Sequence, residues 1–149
     1  MRVFIGSFYH TVDAKGRVSI PVRFRQVLAD RYEETLIVTT DLDQCLVGYP
    51  LDEWRLIEEK TKTLPSMQKE VKDFLRFFYS SAVECPLDRQ GRILLPAHLR
   101  QYAKLNRDVV LIGMMSKIEV WGERQWKEKE GQVSQNVERI GSALAGLGL

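Results

Sequence analysis

Two short stretches of this chain carry acidic, glycine and basic residues at matching spacing. Asp13, Gly16, Arg17, Pro21 and Arg25 recur 75 residues later as Asp88, Gly91, Arg92, Pro96 and Arg100. In each stretch the Asp side chain can accept hydrogen bonds from backbone N–H groups two residues on, and the Gly supplies the left-handed conformation that closes a tight turn. A loop of Ala14, Lys15 and Gly16 sets Asp13 across from Arg17, and Asp88 stands likewise to Arg92. As a surface ion pair this is worth about 0.2–1 kcal/mol, and for one copy that alone would explain the pattern. A turn needs its glycine, however, and does not need cations at Lys15 and Arg17 and again at Arg89 and Arg92. The duplication therefore assigns Asp13, Gly16, Asp88 and Gly91 to shaping the loops, and the neighbouring cations to binding an anion.

The charge distribution gives that anion a class. Residues 13–25 carry Lys15, Arg17, Arg23 and Arg25 against Asp13, a net +3. Residues 88–107 carry Arg89, Arg92, Arg100, Lys104 and Arg107 against Asp88, a net +4, while the whole chain is only +2. The remainder is thus −5, and the positive field sits on the two repeated loops and the segments that follow them. Such segregation attracts a polyanion, and an exposed hairpin can enter a DNA groove as a two-stranded ribbon. A merely solvated charged face is the plain alternative. Clustering of the cations on the repeats favours nucleic acid.

The loops must be held by repeated elements. Phe24, Val27 and Leu28 recur as Leu99, Tyr102 and Ala103, each set at the i, i+3, i+4 spacing of a helix face. Strands are expected over Thr35 to Thr40 and Cys45 to Tyr49, and again over Asp108 to Gly113 and Lys117 to Trp121, with Trp54 and Trp126 opening helices. The organisation read from this is a first repeat over 7–54, a helical connector over 55–82, a second repeat over 83–126, and a C-terminal helix and tail over 127–149. The connector shows one stripe at Trp54, Ile57, Thr61 and Leu64, a break at Pro65, and a second stripe at Val71, Phe74, Leu75 and Phe78. Beyond a helix ending near Ile140, the stretch 141–149 of Gly and small apolar residues reads as a loose tail. Neither repeat is large enough to be stable alone.

Composition removes several other classes. With 149 residues, 44% hydrophobic and 28% charged, the chain can build a core without disulfides or metal. The opening MRVFIGSFYHTVD has no signal-peptide pattern, and no apolar run approaches the roughly 20 residues of a membrane span. Cys45 and Cys85 belong to no CxxC or Cys/His cluster, so no metal and no cofactor is expected, and reduced, buried thiols in a cytoplasmic protein are. No P-loop, GxGxxG, HExxH or GxSxG occurs, and neither His10 nor His98 has a nucleophile partner nearby in sequence, so catalysis is not expected.

At Gly6-Ser-Phe-Tyr-His-Thr-Val-Asp13-Ala-Lys-Gly-Arg17-Val-Ser-Ile-Pro21 and Leu87-Asp88-Arg-Gln-Gly-Arg92-Ile-Leu-Leu-Pro96 the chain resembles the MraZ family of bacterial regulators, within the SpoVT/AbrB-like DNA-binding superfamily. The resemblance covers nearly the whole chain. It implies an α+β fold built on a double-split β-barrel, formed here by two tandem repeats. It implies ring-shaped homo-oligomers, associated with the nucleoid, that bind direct repeats of double-stranded DNA in the promoter of their own cell-division and cell-wall gene cluster, usually as repressors. It points to Arg17 and Arg92 as the principal DNA contacts; loop geometry adds Lys15 and Arg89, while Arg23, Arg25 and Arg100 are at most phosphate contacts. The rival expectation is a ring-forming scaffold for other proteins with only nonspecific DNA affinity. An antitoxin-like role would require a toxin partner. Membrane and small-molecule partners are not expected.

Overall fold

The computed structural model describes residues 3–149; Met1 and Arg2, which open the stretch read as lacking a signal peptide, lie outside them. The first repeat runs β1 (Ser7–Thr11), β2 (Arg17–Ser19), α1 (Val22–Asp30), β3 (Thr35–Thr40) and β4 (Leu46–Pro50). Helices α2 (Leu51–Lys62) and α3 (Lys69–Ser80) follow. The second repeat runs β5 (Val83–Pro86), β6 (Arg92–Leu94), α4 (Ala97–Tyr102), β7 (Asp108–Gly113) and β8 (Ile118–Gly122). Helices α5 (Glu123–Gln135) and α6 (Val137–Ala145) end the chain. Helices α1, α2 and α4 start directly after Pro21, Pro50 and Pro96. A proline's fixed φ and missing N–H suit a helix start, where that donor has no intrahelical acceptor.

Six strands form one antiparallel sheet in the order β1-β7-β8-β4-β3-β5, and β2 pairs only with β6. Exchanging the repeats turns this order into its own reverse, so the sheet has a pseudo-two-fold axis between β8 and β4. The first strand of each repeat is donated to the other: β1 pairs with β7, and β5 with β3. Each repeat alone would lack the partner of its first two strands, which is the physical reason the halves interlock.

The expected double-split β-barrel does not form. The sheet is open, with β1 and β5 as edges that do not pair with each other, and β2–β6 is a separate ribbon. Closure would need β2 and β6 to extend the sheet edges, but each has only three residues, and β2 meets the chain just past β1 only briefly, through the isolated bridge Val12–Val18 and the Asp13 N–H that donates to the Arg17 carbonyl at 2.9 Å.

One core lies between the ribbon, helices α1 and α4, and one sheet face. It contains Val18, Ile20, Phe24 and Leu28 with their second-repeat counterparts Ile93, Leu95, Leu99 and Ala103. The alternate residues of β3 and β4, Ile37, Val47 and Tyr49, face a second core with Trp54 and Phe78. There Trp54 stacks on Phe78 with centroids 5.4 Å apart and planes at 20°, and the Thr39 hydroxyl donates to the Phe78 carbonyl. Leu64, expected on the stripe of α2, lies past the helix end and is exposed. Strands β4 and β8 each start one residue later than the pattern indicated. The C-terminal tail is helical too: the turn at Asn136 breaks the expected single helix, and α6 continues it, since Ser142, Ala143, Leu144 and Ala145 permit helix despite Gly141.

Candidate nucleic-acid interface

Both repeated loops fold as the spacing predicts, and they do so alike. Asp13 Oδ1 accepts the N–H groups of Lys15 and Arg17 at 3.0 and 2.9 Å, while its Oδ2 accepts Arg17 Nε at 2.7 Å. Asp88 Oδ1 accepts those of Gln90 and Arg92 at 2.9 Å each, and its Oδ2 accepts Arg92 Nε at 2.9 Å. Gly16 and Gly91 close the turns at φ +88° and +74°. Backbone N–H donation from the arginine holds each Asp carboxyl below its usual range, assisted by the guanidinium. Each carboxylate thus shapes its loop and grips one edge of the arginine. Among the described residues neither Arg17 nor Arg92 uses its Nη groups in a hydrogen bond, so the end of each planar fork is open for a ligand.

The ribbon brings the two arginines to one face. In the β2–β6 ladder Arg17 lies opposite Leu94, Val18 opposite Ile93, and Ser19 opposite Arg92. Val18 and Ile93 are buried, so the alternation turns Arg17, Ser19, Arg92 and Leu94 outward. Arg17 and Arg92 are diagonal neighbours, a relation that spaces residues about 7–8 Å apart in such a pair. No local sequence signal pairs β2 with β6; the pairing is made by the tertiary fold.

The other expected cations divide. Lys15 and Arg89 are exposed at the loop tips, and Arg23 is exposed on α1. Arg25 and Arg100 are half-buried, and each donates from Nε to a carbonyl of its own repeat, Ile20 at 3.1 Å and Leu95 at 2.9 Å. Each also lies against the turn of the other repeat: a Cβ on Gly91 would meet Arg25 Cδ at 2.5 Å, and one on Gly16 would meet Arg100 Nε at 3.0 Å. Their aligned positions in the repeats serve this crossed packing.

Elsewhere, His98 Nε2 lies 3.1 Å from the Ser81 carbonyl, and partial burial holds His10 below its usual pKa. Cys45 and Cys85 are buried free thiols. One grouping was not legible in the sequence: ligand atoms of Asp41, Cys45 and Glu119 lie within 4.8 Å of one another where the β3–β4 turn meets β8. Burial, then the charge of Glu119, pushes the Cys45 thiol up, and burial raises Glu119, whose Oε1 accepts Trp121 Nε1 at 2.9 Å. Among the described residues no helix is long and apolar enough to cross a membrane.

Fold and site together define a class: two interlocked, pseudo-symmetric repeats presenting an arginine-bearing antiparallel ribbon. A family model described as "MraZ protein, putative antitoxin-like" matches twice, over residues 3–77 and 78–142. Proteins described as "Transcriptional regulator MraZ" are similar along the whole chain. The one from Desulfitobacterium hafniense strain Y51 is 46% identical over 147 residues, covering 99% of this chain and 100% of the relative. Those from Caldicellulosiruptor saccharolyticus and Pelotomaculum thermopropionicum are 45% and 44% identical, with 99% of this chain covered in both cases and 100% and 99% of the relatives. The chain belongs to the MraZ family of DNA-binding transcriptional regulators, and its role is regulatory, not enzymatic.

Proposed function

We propose that this chain is a sequence-specific repressor of its own division and cell-wall gene cluster, which it recognises through direct repeats in the cluster's promoter. The observation that carries the reading is the ribbon: Arg17 and Arg92 share one outer face, and each is braced through Nε by its own aspartate. A braced arginine presents a fixed fork, suited to the paired O6 and N7 acceptors of guanine. Lys15 and Arg89 at the tips then add backbone attraction, with Arg23 as a phosphate contact, and Arg25 and Arg100 as secondary ones. The regulator works in the cytoplasm, on the nucleoid.

One ribbon offers few contacts, so binding gains from several copies on one DNA through effective concentration. A ring-shaped homo-oligomer supplies this, and Val133, Val137 and Ile140, all exposed on α5 and α6, favour contacts between copies. The test is fluorescence anisotropy with the promoter duplex upstream of the chain's own gene against a shuffled duplex, at two salt concentrations. Preference for the promoter that persists at the higher salt supports the repressor. Equal binding to both, erased by salt as phosphate-only contacts are, supports the scaffold reading.

A further inference from the structure

The outer face of the ribbon holds four side chains, and the arginine reading uses two. The pseudo-two-fold axis that exchanges Arg17 with Arg92 also exchanges Ser19 with Leu94. A symmetric backbone thus carries a hydroxyl at one position and an isobutyl group at its equivalent. Leu94 is 55% exposed, whereas its neighbours Ile93 and Leu95 are 2% and 0% exposed and belong to the core. A half-buried strand is ordinarily apolar inward and polar outward, and β6 departs from that rule on the face where the guanidinium groups gather. A lone exposed leucine is unremarkable on most surfaces. This one lies directly opposite Arg17 in the ladder.

The major groove contains one apolar feature, the C5-methyl of thymine, among the acceptors and donors of the base edges. A leucine beside a guanine-reading arginine fits that methyl as the serine beside Arg92 does not. We infer that Leu94 is a specificity-determining residue that packs on the methyl of a thymine next to the guanine read by Arg17. This rests on the ribbon being the DNA-contacting surface. It has a directional consequence. Were both ends of the ribbon alike, a site and its inverted copy would be bound equally. With Leu94 at one end and Ser19 at the other, only one orientation places leucine on thymine, so identical copies along a duplex read sites that all run the same way.

The test compares the promoter duplex with the same duplex carrying deoxyuridine for every thymidine, a change that removes methyls only. Wild-type protein is expected to bind the uridine duplex about fourfold more weakly per contacted methyl, the factor for exposing one methylene-sized group to water. Leu94→Ala is expected to weaken binding to the thymidine duplex and to bind both duplexes equally. Because the side chain is exposed, its circular dichroism and oligomer size should match wild type. Wild-type protein that prefers the promoter to a shuffled duplex yet ignores the methyls overturns this inference and leaves the repressor reading standing. So does Leu94→Ala protein that keeps the wild-type thymidine-to-uridine ratio. Wild-type protein with no promoter preference overturns both.

Discussion

The turn at Asp13 and the turn at Asp88 have hydrogen bonds that match to within 0.2 Å, yet they carry different side chains. Ala14 and Lys15 stand where the second turn has Arg89 and Gln90, and Ser19 stands where it has Leu94. The shared positions either shape the loop, as Asp13, Gly16, Asp88 and Gly91 do, or carry the braced arginine. These divergent positions lie at the tips or on the outer face of the ribbon, whereas the inward pairs Val18 and Ile93, and Ile20 and Leu95, differ only in apolar shape. One frame has been used twice to hold equivalent forks over unequal surroundings, as the proposed reading of an asymmetric site requires.

The largest effect is expected where the two turns are alike. Arg17→Ala combined with Arg92→Ala should abolish promoter preference in anisotropy titrations while circular dichroism and oligomer size stay unchanged. Each single variant should lose roughly fivefold to 150-fold, the range of about 1–3 kcal/mol for a bidentate arginine–guanine contact. Unchanged affinity in the double variant would remove the site assignment, and unequal single losses would show which turn dominates.

Next come the two tryptophans that follow β4 and β8. Trp54 is buried between Tyr49, Phe78 and Tyr79, whereas Trp126 is half-exposed and meets Trp121 edge-on at 5.6 Å. Trp54→Ala should cost about 3–5 kcal/mol in urea denaturation, as large-to-small core changes do, and Trp126→Ala clearly less. Equal costs would mean that the second half of the sheet is packed as firmly as the first.

A smaller difference is expected between the glycines. Both sit at positive φ, where an alanine is strained by about 1–2 kcal/mol. A Cβ at position 16 also meets the Leu95 carbonyl oxygen at 2.9 Å, which is fixed backbone, whereas the contacts at Gly91 are all to the flexible Arg25 side chain. Gly16→Ala should therefore lower the melting temperature more than Gly91→Ala. The reverse order would show that Arg25 is the more rigid of the two crossed arginines.

The weakest effects are electrostatic and of opposite sign. The carboxyls of Asp13 and Asp88 are held below their unfolded values, so their stabilisation is complete above the unfolded pKa and fades as pH falls through the lowered one. Asn at both positions should flatten the acid limb of a melting-temperature profile. Glu119 is raised by burial, so its folded state favours the proton, and stability falls as pH climbs from the ordinary carboxylate range through the raised value. Glu119→Gln should remove that loss and keep an acceptor for Trp121. A profile unmoved by either change would leave these carboxyls without weight in the stability of the fold.

Much of the candidate interface was legible because its chemistry is local. An Asp four residues before an Arg, with Gly between, dictates its own turn, and finding it twice singles the two loops out as the candidate site. The helices after Pro21 and Pro96 were equally legible, since proline and apolar periodicity act over a few residues. Leu94 was harder: only strand alternation around buried Ile93 could have turned it outward, and three residues are too few to show a period. Asp41, Cys45 and Glu119 gave no signal at all, because nothing near Cys45 in the chain refers to β8.

The sequence by itself determined the two braced arginines, the segregation of positive charge and the pairing of each loop with a short helix, since all of these depend on neighbours within a turn or two. Only the tertiary structure decided that β2 and β6 pair across the repeats, that Arg25 and Arg100 each pack on the other repeat's glycine, and that the sheet stays open where a closed barrel was expected. Those outcomes depend on which strand finds which partner over dozens of residues, and two repeats with the same order of elements and similar apolar patterns offer each strand two candidates. Burial of both cores at once selects between them, and that is a property of the assembled chain.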